Sequence, residues 1–386
     1  MFAALLFAFC CTVVIYIFLG YPLTLVLFDG SRKGAHQPRW IEQPTVTLIF
    51  AAHNETVSVG RKLDNALSQD YPPEKLDVIV VDDCSNDGTA AAVQAYLAAK
   101  PEYQKRTLLL QQSVRLGKTA ALNRAAQQAR GEVLVFTDAN AMFRADAVKK
   151  LVEGFDATGK IGVVCGELHY HKHPEATGDE ESWYWDLEIQ LKKAESRFGT
   201  LLGANGSIYA LRRELYIPLR EDIISDLIEP LLLAKRGFRT VYQPEAVSVE
   251  ASTRDLKSEF RRKKRIIQRG LHGLWNHREL LNPLRSRGLA LMLWSHKVLR
   301  WFLPLWLIGI LIATFLLRNY MVFHALFVLQ IAAYGWGALC VLSHNWEERL
   351  AIFRIPAYIM MVIGASAAGI WGFLRGEKVV FWEPQR

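Results

Sequence analysis

The chain has 386 residues, of which 51% are hydrophobic, and its formal net charge is +8. This length allows one large soluble domain with additional elements. The positive charge does not indicate nucleic-acid binding, because it is concentrated in Arg254–Arg287, which holds eleven basic and three acidic residues directly before an apolar region. A basic segment in that position is typical of a cytoplasmic membrane surface. We therefore expect contacts with membrane lipids and none with nucleic acid.

Long segments without charge predict membrane spans at both ends of the chain. Phe2–Phe28 has no charged residue over 27 positions, which is enough to cross a bilayer. It lacks a basic start and a clear cleavage site, so we interpret it as an anchor rather than a signal peptide. Basic residues after this span predict a cytosolic middle region: Arg32, Lys33 and Arg39. Further apolar segments follow near the C-terminus: Trp301–Leu317, Met321–Ser343 and Ile355–Leu374.

The composition predicts five regions. They are a transmembrane helix at residues 1–29, an α/β domain at 45–250, basic interfacial helices at 251–288, about three transmembrane helices at 289–374 and a tail at 375–386. Within the α/β domain, apolar strands alternate with helices, which predicts a mainly parallel sheet. The predicted strands include Val46–Ala51, Asp77–Val81, Thr107–Leu110 and Val133–Phe136, and the predicted helices include Thr56–Gln69, Thr89–Ala99, Thr119–Arg130 and Trp183–Arg197. Ser207–Leu211 is a short strand, and Arg239–Glu250 is a strand pair or an extended return.

Polar side chains follow successive strands of this predicted sheet: Glu55, Asp83, Lys118 and Asp138. Ligands of open α/β sheets bind at the carboxyl ends of the strands, so four such groups at one edge indicate a binding site. Carboxylates beside a lysine suit a nucleoside diphosphate with its metal ion. The chain has no Walker A pattern and no GxGxxG, which disfavours an NTPase or a dinucleotide enzyme.

Two acidic positions have a structural alternative. Asp138 and Asn140 follow the apolar run Val133–Phe136 and suit a hard cation such as Mg²⁺ or Mn²⁺, or else one of them caps the helix that follows. Asp226 opens another predicted helix, where an N-cap is the usual role and Ser225 is a competing cap.

Six motifs occur in order over residues 45–275: HNE, VVDDCSNDGT, LGKTAALNRA, FTDAN, GANG and ISDLIEP. Together they resemble the inverting, membrane-bound family 2 glycosyltransferases, which have a GT-A fold. Similar enzymes include cellulose, chitin, hyaluronan and poly-N-acetylglucosamine synthases. The resemblance implies an α/β GT-A domain flanked by transmembrane helices, in an integral protein of the bacterial inner membrane with a cytosolic catalytic domain.

The resemblance also implies roles for particular residues. Glu55 and Asp83 hold the uridine end with Asp82 as a neighbour, and Lys118 lies near the diphosphate. Asp138 matches the first acid of the metal-binding motif, and Asn140 stands where the second acid usually is. Asp226 is the general base for the acceptor hydroxyl. The acceptor-side loop contains Asn205 and Gly206.

The chain departs from the family pattern at the QxxRW motif. Gln268, Arg269 and Trp275 fit it only loosely, and the alternative is a basic interfacial helix. This departure leaves processive synthesis open. Trp183, Trp185 and Trp275 can stack on sugar rings, although anchoring at the membrane interface explains tryptophans equally well.

The predicted activity is metal-assisted transfer of a sugar from a nucleotide-sugar, expected to be a UDP-sugar, to a polysaccharide or glycolipid acceptor. One alternative is the transfer of a single sugar to a lipid carrier, and a non-enzymatic alternative is a channel or transporter that senses nucleotide. Four spans with an external N-terminus would leave the tail outside, yet Trp382 and Arg386 resemble a cytosolic tail motif. Either one apolar segment is re-entrant or interfacial, or the tail resemblance is accidental.

Overall fold

The computed structural model describes residues 1–27, 40, 42–171, 180–251, 256–342 and 351–381, with backbone only at 171, 180–187 and 351. The strands are β1 Val46–Ala52, β2 Leu76–Asp82, β3 Thr107–Gln111, β4 Val133–Asp138, β5 Met142–Phe143, β6 Ile161–His171, β7 Ile208–Arg212 and β8 Arg239–Ala251. The α-helices are α1 Phe2–Ile15, α2 Tyr21–Leu27, α3 Val59–Leu67, α4 Thr89–Ala99, α5 Pro101–Gln104, α6 Lys118–Gln128, α7 Ala147–Glu153, α8 Glu180–Phe198, α9 Ser225–Lys235, α10 Leu256–Asn276, α11 Pro283–Leu293, α12 Leu299–Trp301, α13 Leu303–Leu316, α14 Met321–Leu342 and α15 Ala351–Leu374. Two π-helical segments, Tyr16–Gly20 and Trp294–Val298, connect α1 to α2 and α11 to α12.

The chain divides into two compact units. One contains residues 31–172, 195–252 and 379–386, and the other contains residues 1–30, 173–194 and 253–378. The first unit therefore includes the end of the tail, and the segment 173–194 groups with the apolar helices rather than with the predicted 45–250 domain. Arg32, Lys33, Arg39, Trp382 and Arg386, on which the predicted orientation depended, lie outside the described residues.

The first unit is built on one mixed sheet with the strand order β3-β2-β1-β4-β7-β6-β8-β5. β1 pairs in parallel with β2 and β4, while β7 runs antiparallel between β4 and β6. β1 is buried over its whole length because helices cover both faces of the sheet. Its alternate residues pack in two directions: Leu48 and Phe50 lie in a core with α3 and α7, and Ile49 lies in a core with α6 and α9.

The second unit consists mainly of apolar helices. Three of the described helices are long and apolar enough to cross a membrane: Phe2–Leu27, Met321–Leu342 and Ile352–Leu374. A fourth candidate is the bent pair Pro283–Trp301 and Leu303–Leu316, whose two parts meet at 64°. The described helices thus offer three candidate spans, or four if the bent pair is one span.

Candidate active site

The carboxyl ends of β1, β2 and β4 lie side by side, as the sequence predicts. In the parallel register, Ala52 pairs with Asp82 and Ala51 pairs with Asp138. Both acidic residues therefore lie at the carboxyl-terminal ends of their strands, where the chain leaves the sheet for its connecting loops.

Lys118 contacts residues of two other motifs, Asp138 of FTDAN and Gly206 of GANG. It is the first residue of α6, after Gly117, whose φ of +88° is readily adopted by glycine. Its ammonium nitrogen donates hydrogen bonds to the carboxylate of Asp138 and, over 3.2 Å, to the carbonyl oxygen of Gly206. The Lys118 and Asp138 side chains are both partly exposed, so a ligand can reach this pair.

The loop Gly203–Gly206 lies against the start of α9. The backbone carbonyl of Asp226 accepts a hydrogen bond of 2.7 Å from the N–H of Ala204. A methyl group at Gly206 would come within 2.5 Å of an Asp226 carboxylate oxygen and 3.3 Å of the Lys118 ammonium nitrogen. Because Gly206 has no side chain, the side chains of Lys118 and Asp226 can both lie next to it.

The capping alternatives for the acidic residues do not describe this structure. The N-cap of α9 is Ile224, which has no side-chain cap, and Asp226 is in the first turn instead. Asp138 and Asn140 precede β5 rather than a helix, and the next helix, α7, has Asp146 as its N-cap.

The carboxylate of Asp83 fixes the loop that directly precedes Lys118 in the chain. Its side chain is 0% exposed, and its two carboxylate oxygens accept hydrogen bonds from the side chain of Gln112 and from the N–H groups of Leu116 and Gly117, over 2.7 to 2.9 Å. In this conformation the carboxylate is used by the chain itself. The expected contact with a uridine group remains a prediction.

Asp82 and Glu55 are the other two acidic residues predicted to bind the nucleotide, and both form hydrogen bonds in the loops where they lie. The carboxylate of Asp82 accepts hydrogen bonds from the backbone and the hydroxyl of Ser85. The carboxylate of Glu55 accepts one from the hydroxyl of Ser58, and the N–H of Glu55 donates to the Thr89 hydroxyl over 2.8 Å. The first two contacts are each within one loop, and the last one connects the loop after β1 to the start of α4.

Asp138 and Asn140 fit a metal ion that is held mainly by its substrate. Among the described residues, no group of three or more His, Cys, Asp or Glu side chains is placed to hold a metal. The motif itself offers one carboxylate, at Asp138, and one exposed amide, at Asn140. Mg²⁺ and similar ions are commonly bound by one or two carboxylates plus phosphate oxygens and water, so this donor set suits a cation that arrives with a nucleoside diphosphate.

The predicted acceptor residues are placed differently. The side-chain amide of Asn205 donates a 2.7 Å hydrogen bond to the carbonyl of Gly166, so it anchors the loop to β6. Gln268, Arg269 and Trp275 all lie on α10 in the second unit. Gln268 and Arg269 are buried, the Gln268 amide donates to the carbonyl of Glu377 over 2.8 Å, and Trp275 is 63% exposed. The side chains of Trp183 and Trp185 lie outside the described part of the chain.

The structure contains two buried ionisable residues that were not predicted from the sequence. Lys62 on α3 is 0% exposed, and burial lowers its pKa to about 7 although the carboxylates of Asp138 and Glu250 attract it. Glu229 on α9, three residues after Asp226, is also buried, and desolvation raises its pKa to about 8. The available signal for Lys62 was its spacing, because it shares a helix face with Val59 and Leu63, which are apolar.

Comparison with known proteins shows what part of the chain is similar to. Residues 47–219 match Glycosyl transferase family 2. An N-acetylglucosaminyltransferase of Rhizobium meliloti (strain 1021) is 27% identical over 259 residues, which are 61% of this chain and 58% of that protein. A poly-beta-1,6-N-acetyl-D-glucosamine synthase of Staphylococcus aureus (strain COL) is 24% identical over 207 residues, which are 52% of this chain and 48% of that protein. The chain spans about half the length of the curated relatives it matches.

A solved structure resembles nearly the whole chain. The mannosyltransferase PcManGT from Pyrobaculum calidifontis, in complex with GDP-Man and Mn²⁺, superposes with a TM-score of 0.72 at 25% identity. The alignment covers 97% of this chain and 100% of that one.

The sheet, its ligand edge and these matches define the class: the chain carries the domain of a glycosyltransferase enzyme with the GT-A fold. Residues 47–219, slightly under half of the chain, match the model of Glycosyl transferase family 2. The predicted fold class is therefore confirmed, and these matches agree with the predicted resemblance to family 2 glycosyltransferases and with the predicted enzyme class.

Proposed function

We propose that the protein is an inverting glycosyltransferase that moves a sugar from a nucleotide-sugar to a polysaccharide or lipid-linked acceptor at the cytoplasmic face of a membrane. The observation that carries this proposal is the convergence of three side chains around Gly206. Lys118 bonds both Asp138 and Gly206, and Asp226 reaches the same glycine. A cation for phosphate, a carboxylate for a metal ion and a carboxylate for a proton thus lie within one small volume.

Each of these side chains has a role in an inverting displacement. Asp226 accepts the proton of the acceptor hydroxyl as that oxygen forms its bond to the anomeric carbon. The bond from this carbon to the diphosphate breaks at the same time, and the negative charge stays on the leaving nucleoside diphosphate, where Lys118 neutralises part of it. A divalent cation held by Asp138, with the carbonyl oxygen of Asn140 as a further ligand, supplies additional charge stabilisation when it is bound.

The relatives suggest two of the three donors to be tested. Two of the curated relatives are named for N-acetylglucosamine transfer or polymerisation, and the solved neighbour binds GDP-Man. The purified full-length chain should be incubated with UDP-N-acetylglucosamine, UDP-glucose or GDP-mannose, with Mn²⁺ or Mg²⁺, and with lipid and oligosaccharide acceptors. We expect one donor to release nucleoside diphosphate in an acceptor-dependent way, and the product length to separate polymerisation from single transfer. No acceptor-dependent release with any donor would overturn the proposed function.

Contacts within the helical unit support a particular membrane arrangement. Along the first span, Phe7 packs on Phe323 with ring centroids 5.2 Å apart, and Tyr16 bonds Ser295 over 2.7 Å. The segment from residue 295 to 323 therefore runs antiparallel to the first span. If the N-terminus is external, this segment crosses from the cytosol outwards and α14 returns.

α15 is the apolar segment that we assign to the membrane surface. It lies along α10, where a methyl group at Gly364 would meet Phe260 at 3.5 Å and one at Gly369 would meet the Lys264 carbonyl at 3.0 Å. α10 carries seven Lys and Arg residues against one acidic residue, and such charges are costly in the bilayer interior. In this arrangement the tail stays cytosolic, on the same side as Gly117, which Val380 contacts.

Cysteine labelling tests this arrangement. In a cysteine-free background, Asn319→Cys lies in the turn between α13 and α14, and Arg375→Cys lies directly after α15. On sealed right-side-out vesicles, we expect a membrane-impermeant maleimide to label the first site and to reach the second only after permeabilisation. Protease added outside should leave the domain at 45–250 intact. External labelling of Arg375→Cys would mean that α15 crosses the membrane.

A further inference from the structure

Lys62 is a buried, ionisable side chain that the proposed reaction does not use. It lies on α3 with 0% exposure, and its ammonium nitrogen makes hydrogen bonds to the hydroxyl of Thr137, over 2.9 Å, and to the carbonyl oxygen of Ala141. The same nitrogen lies 4.6 Å from the centre of the Phe143 ring. Two hydrogen bonds and an aromatic face thus replace part of the water that a lysine loses on burial.

The two acceptors of Lys62 flank the metal-binding motif. Thr137 directly precedes Asp138, and Ala141 directly follows Asn140. The segment between them is a tight turn, in which the N–H of Ala141 donates to the carbonyl of Asp138 over 3.2 Å. One ammonium group therefore connects the entry and the exit of the turn that carries Asp138.

We infer that Lys62 is a positioning residue that fixes the turn Thr137–Ala141 and thereby sets the direction in which Asp138 presents its carboxylate to a divalent cation. This inference rests on the proposed metal-binding role of Asp138. Groups that orient a metal ligand without touching the metal typically change metal affinity by about 10–100-fold when they are removed. The competing explanation is that Lys62 only stabilises the core, in which case its loss lowers the melting temperature without a specific effect on the metal.

Lys62→Met is the informative substitution. Methionine has nearly the same length and keeps the apolar stem in the core, but it has no N–H donors. The Thr137 hydroxyl and the Ala141 carbonyl then lose the donor that joins them. We expect the turn to lose its fixed geometry while the fold survives.

Asn65 provides a matched control on the same helix. Its side chain also bonds the backbone that follows β4, but it contacts Phe143, accepting from the N–H and donating to the carbonyl, each over 2.8 Å. Asn65→Leu therefore removes the two hydrogen bonds from the Asn65 side chain to β5 and leaves both hydrogen bonds of Lys62 in place. Any effect of general destabilisation should be similar in the two variants.

The experiment measures Mn²⁺ binding by electron paramagnetic resonance, with UDP or GDP present, in the full-length wild type, Lys62→Met, Asn65→Leu and Asp138→Ala. Melting temperatures are recorded without metal. We expect Lys62→Met to weaken Mn²⁺ binding by about 10-fold or more, and Asn65→Leu to change it by less than about twofold at a comparable melting temperature.

Each other outcome decides a separate point. If Asp138→Ala binds Mn²⁺ like the wild type, the proposed metal site is wrong. If Asp138→Ala loses binding but Lys62→Met does not, Lys62 is a core residue only, and the same holds if Lys62→Met and Asn65→Leu weaken binding equally. If Lys62→Met does not fold, Thr137→Val removes one of the two hydrogen bonds with Lys62 intact, and it should weaken Mn²⁺ binding in the same direction. Unchanged binding in that variant would overturn the inference.

Discussion

Replacing Asp226 by asparagine is expected to lower the rate of sugar transfer by about 10²–10⁴-fold, the range for loss of a general base. Asparagine has nearly the same size, so the contacts of α9 with the loop Gly203–Gly206 should survive. Donor binding should also survive, because Lys118 and Asp138 are unchanged. The measurements are initial rates of transfer, nucleotide affinity and melting temperature. A variant that binds donor normally and transfers at nearly the wild-type rate would rule out Asp226 as the base.

Glu229→Gln is the matched control for this prediction. Glu229 is on the same helix, and its buried carboxyl accepts a 2.9 Å hydrogen bond from the N–H of Ile217, which a glutamine oxygen can also accept. Because desolvation raises its pKa to about 8, the group is largely neutral at pH 7, and the substitution removes little charge. We expect transfer near the wild-type rate. A loss as large as that of Asp226→Asn would show that the assay reports damage to α9 rather than loss of a base.

The strands that position the site were predictable because they are buried on both faces. Val46–Ala52, which is apolar except for Thr47, and the apolar run Val133–Phe136 both end at polar residues, and such runs mark the central strands of a parallel sheet. The ends of β2 and β4 then place Asp82 and Asp138 at the carboxyl-terminal side of the sheet without any knowledge of the loops. The side of the sheet that carries these acidic residues could therefore be predicted from local sequence patterns alone.

The strands in the second half of the sheet were harder to predict from the sequence. β6, at Ile161–His171, was not predicted, and β8 was expected as a strand pair or an extended return although it is one strand of 13 residues. These two strands pair with each other in parallel through an irregular register, and β7 enters the sheet antiparallel. Such pairing is fixed by contacts between residues far apart in the chain, which no local pattern reports.

The roles of individual charges were also only partly visible. The sequence places Asp83 after a strand, but it does not show that the N–H groups of Leu116 and Gly117 occupy its oxygens. Lys62 resembles a solvent-exposed lysine of an amphipathic helix until the packing of α3 on the sheet is known. Buried charges are rare, so the sequence alone favours the exposed interpretation.

Replacing Asp138 by alanine is expected to reduce transfer below about one-thousandth of the wild-type rate, because charge stabilisation by a metal ion contributes several kcal/mol to the transition state. It should also abolish the dependence of nucleotide binding on Mn²⁺ or Mg²⁺. Among the described residues Asp138 is the only carboxylate of this motif, and the exposed amide of Asn140 is a weak substitute.

Asn140→Asp is the companion variant, since it restores a second carboxylate to the motif. It should keep activity and bind the cation more tightly, because a carboxylate is a stronger ligand than an amide for a hard ion. Titration calorimetry with Mn²⁺ and nucleoside diphosphate measures both effects. Alanine at position 138 also removes the ion pair of Lys118, so Asp138→Asn is needed to keep the size of the side chain and a polar partner for Lys118. If that variant retains wild-type transfer in Mn²⁺ and Mg²⁺, the metal ion is bound elsewhere, and Asp138 serves only to place the lysine.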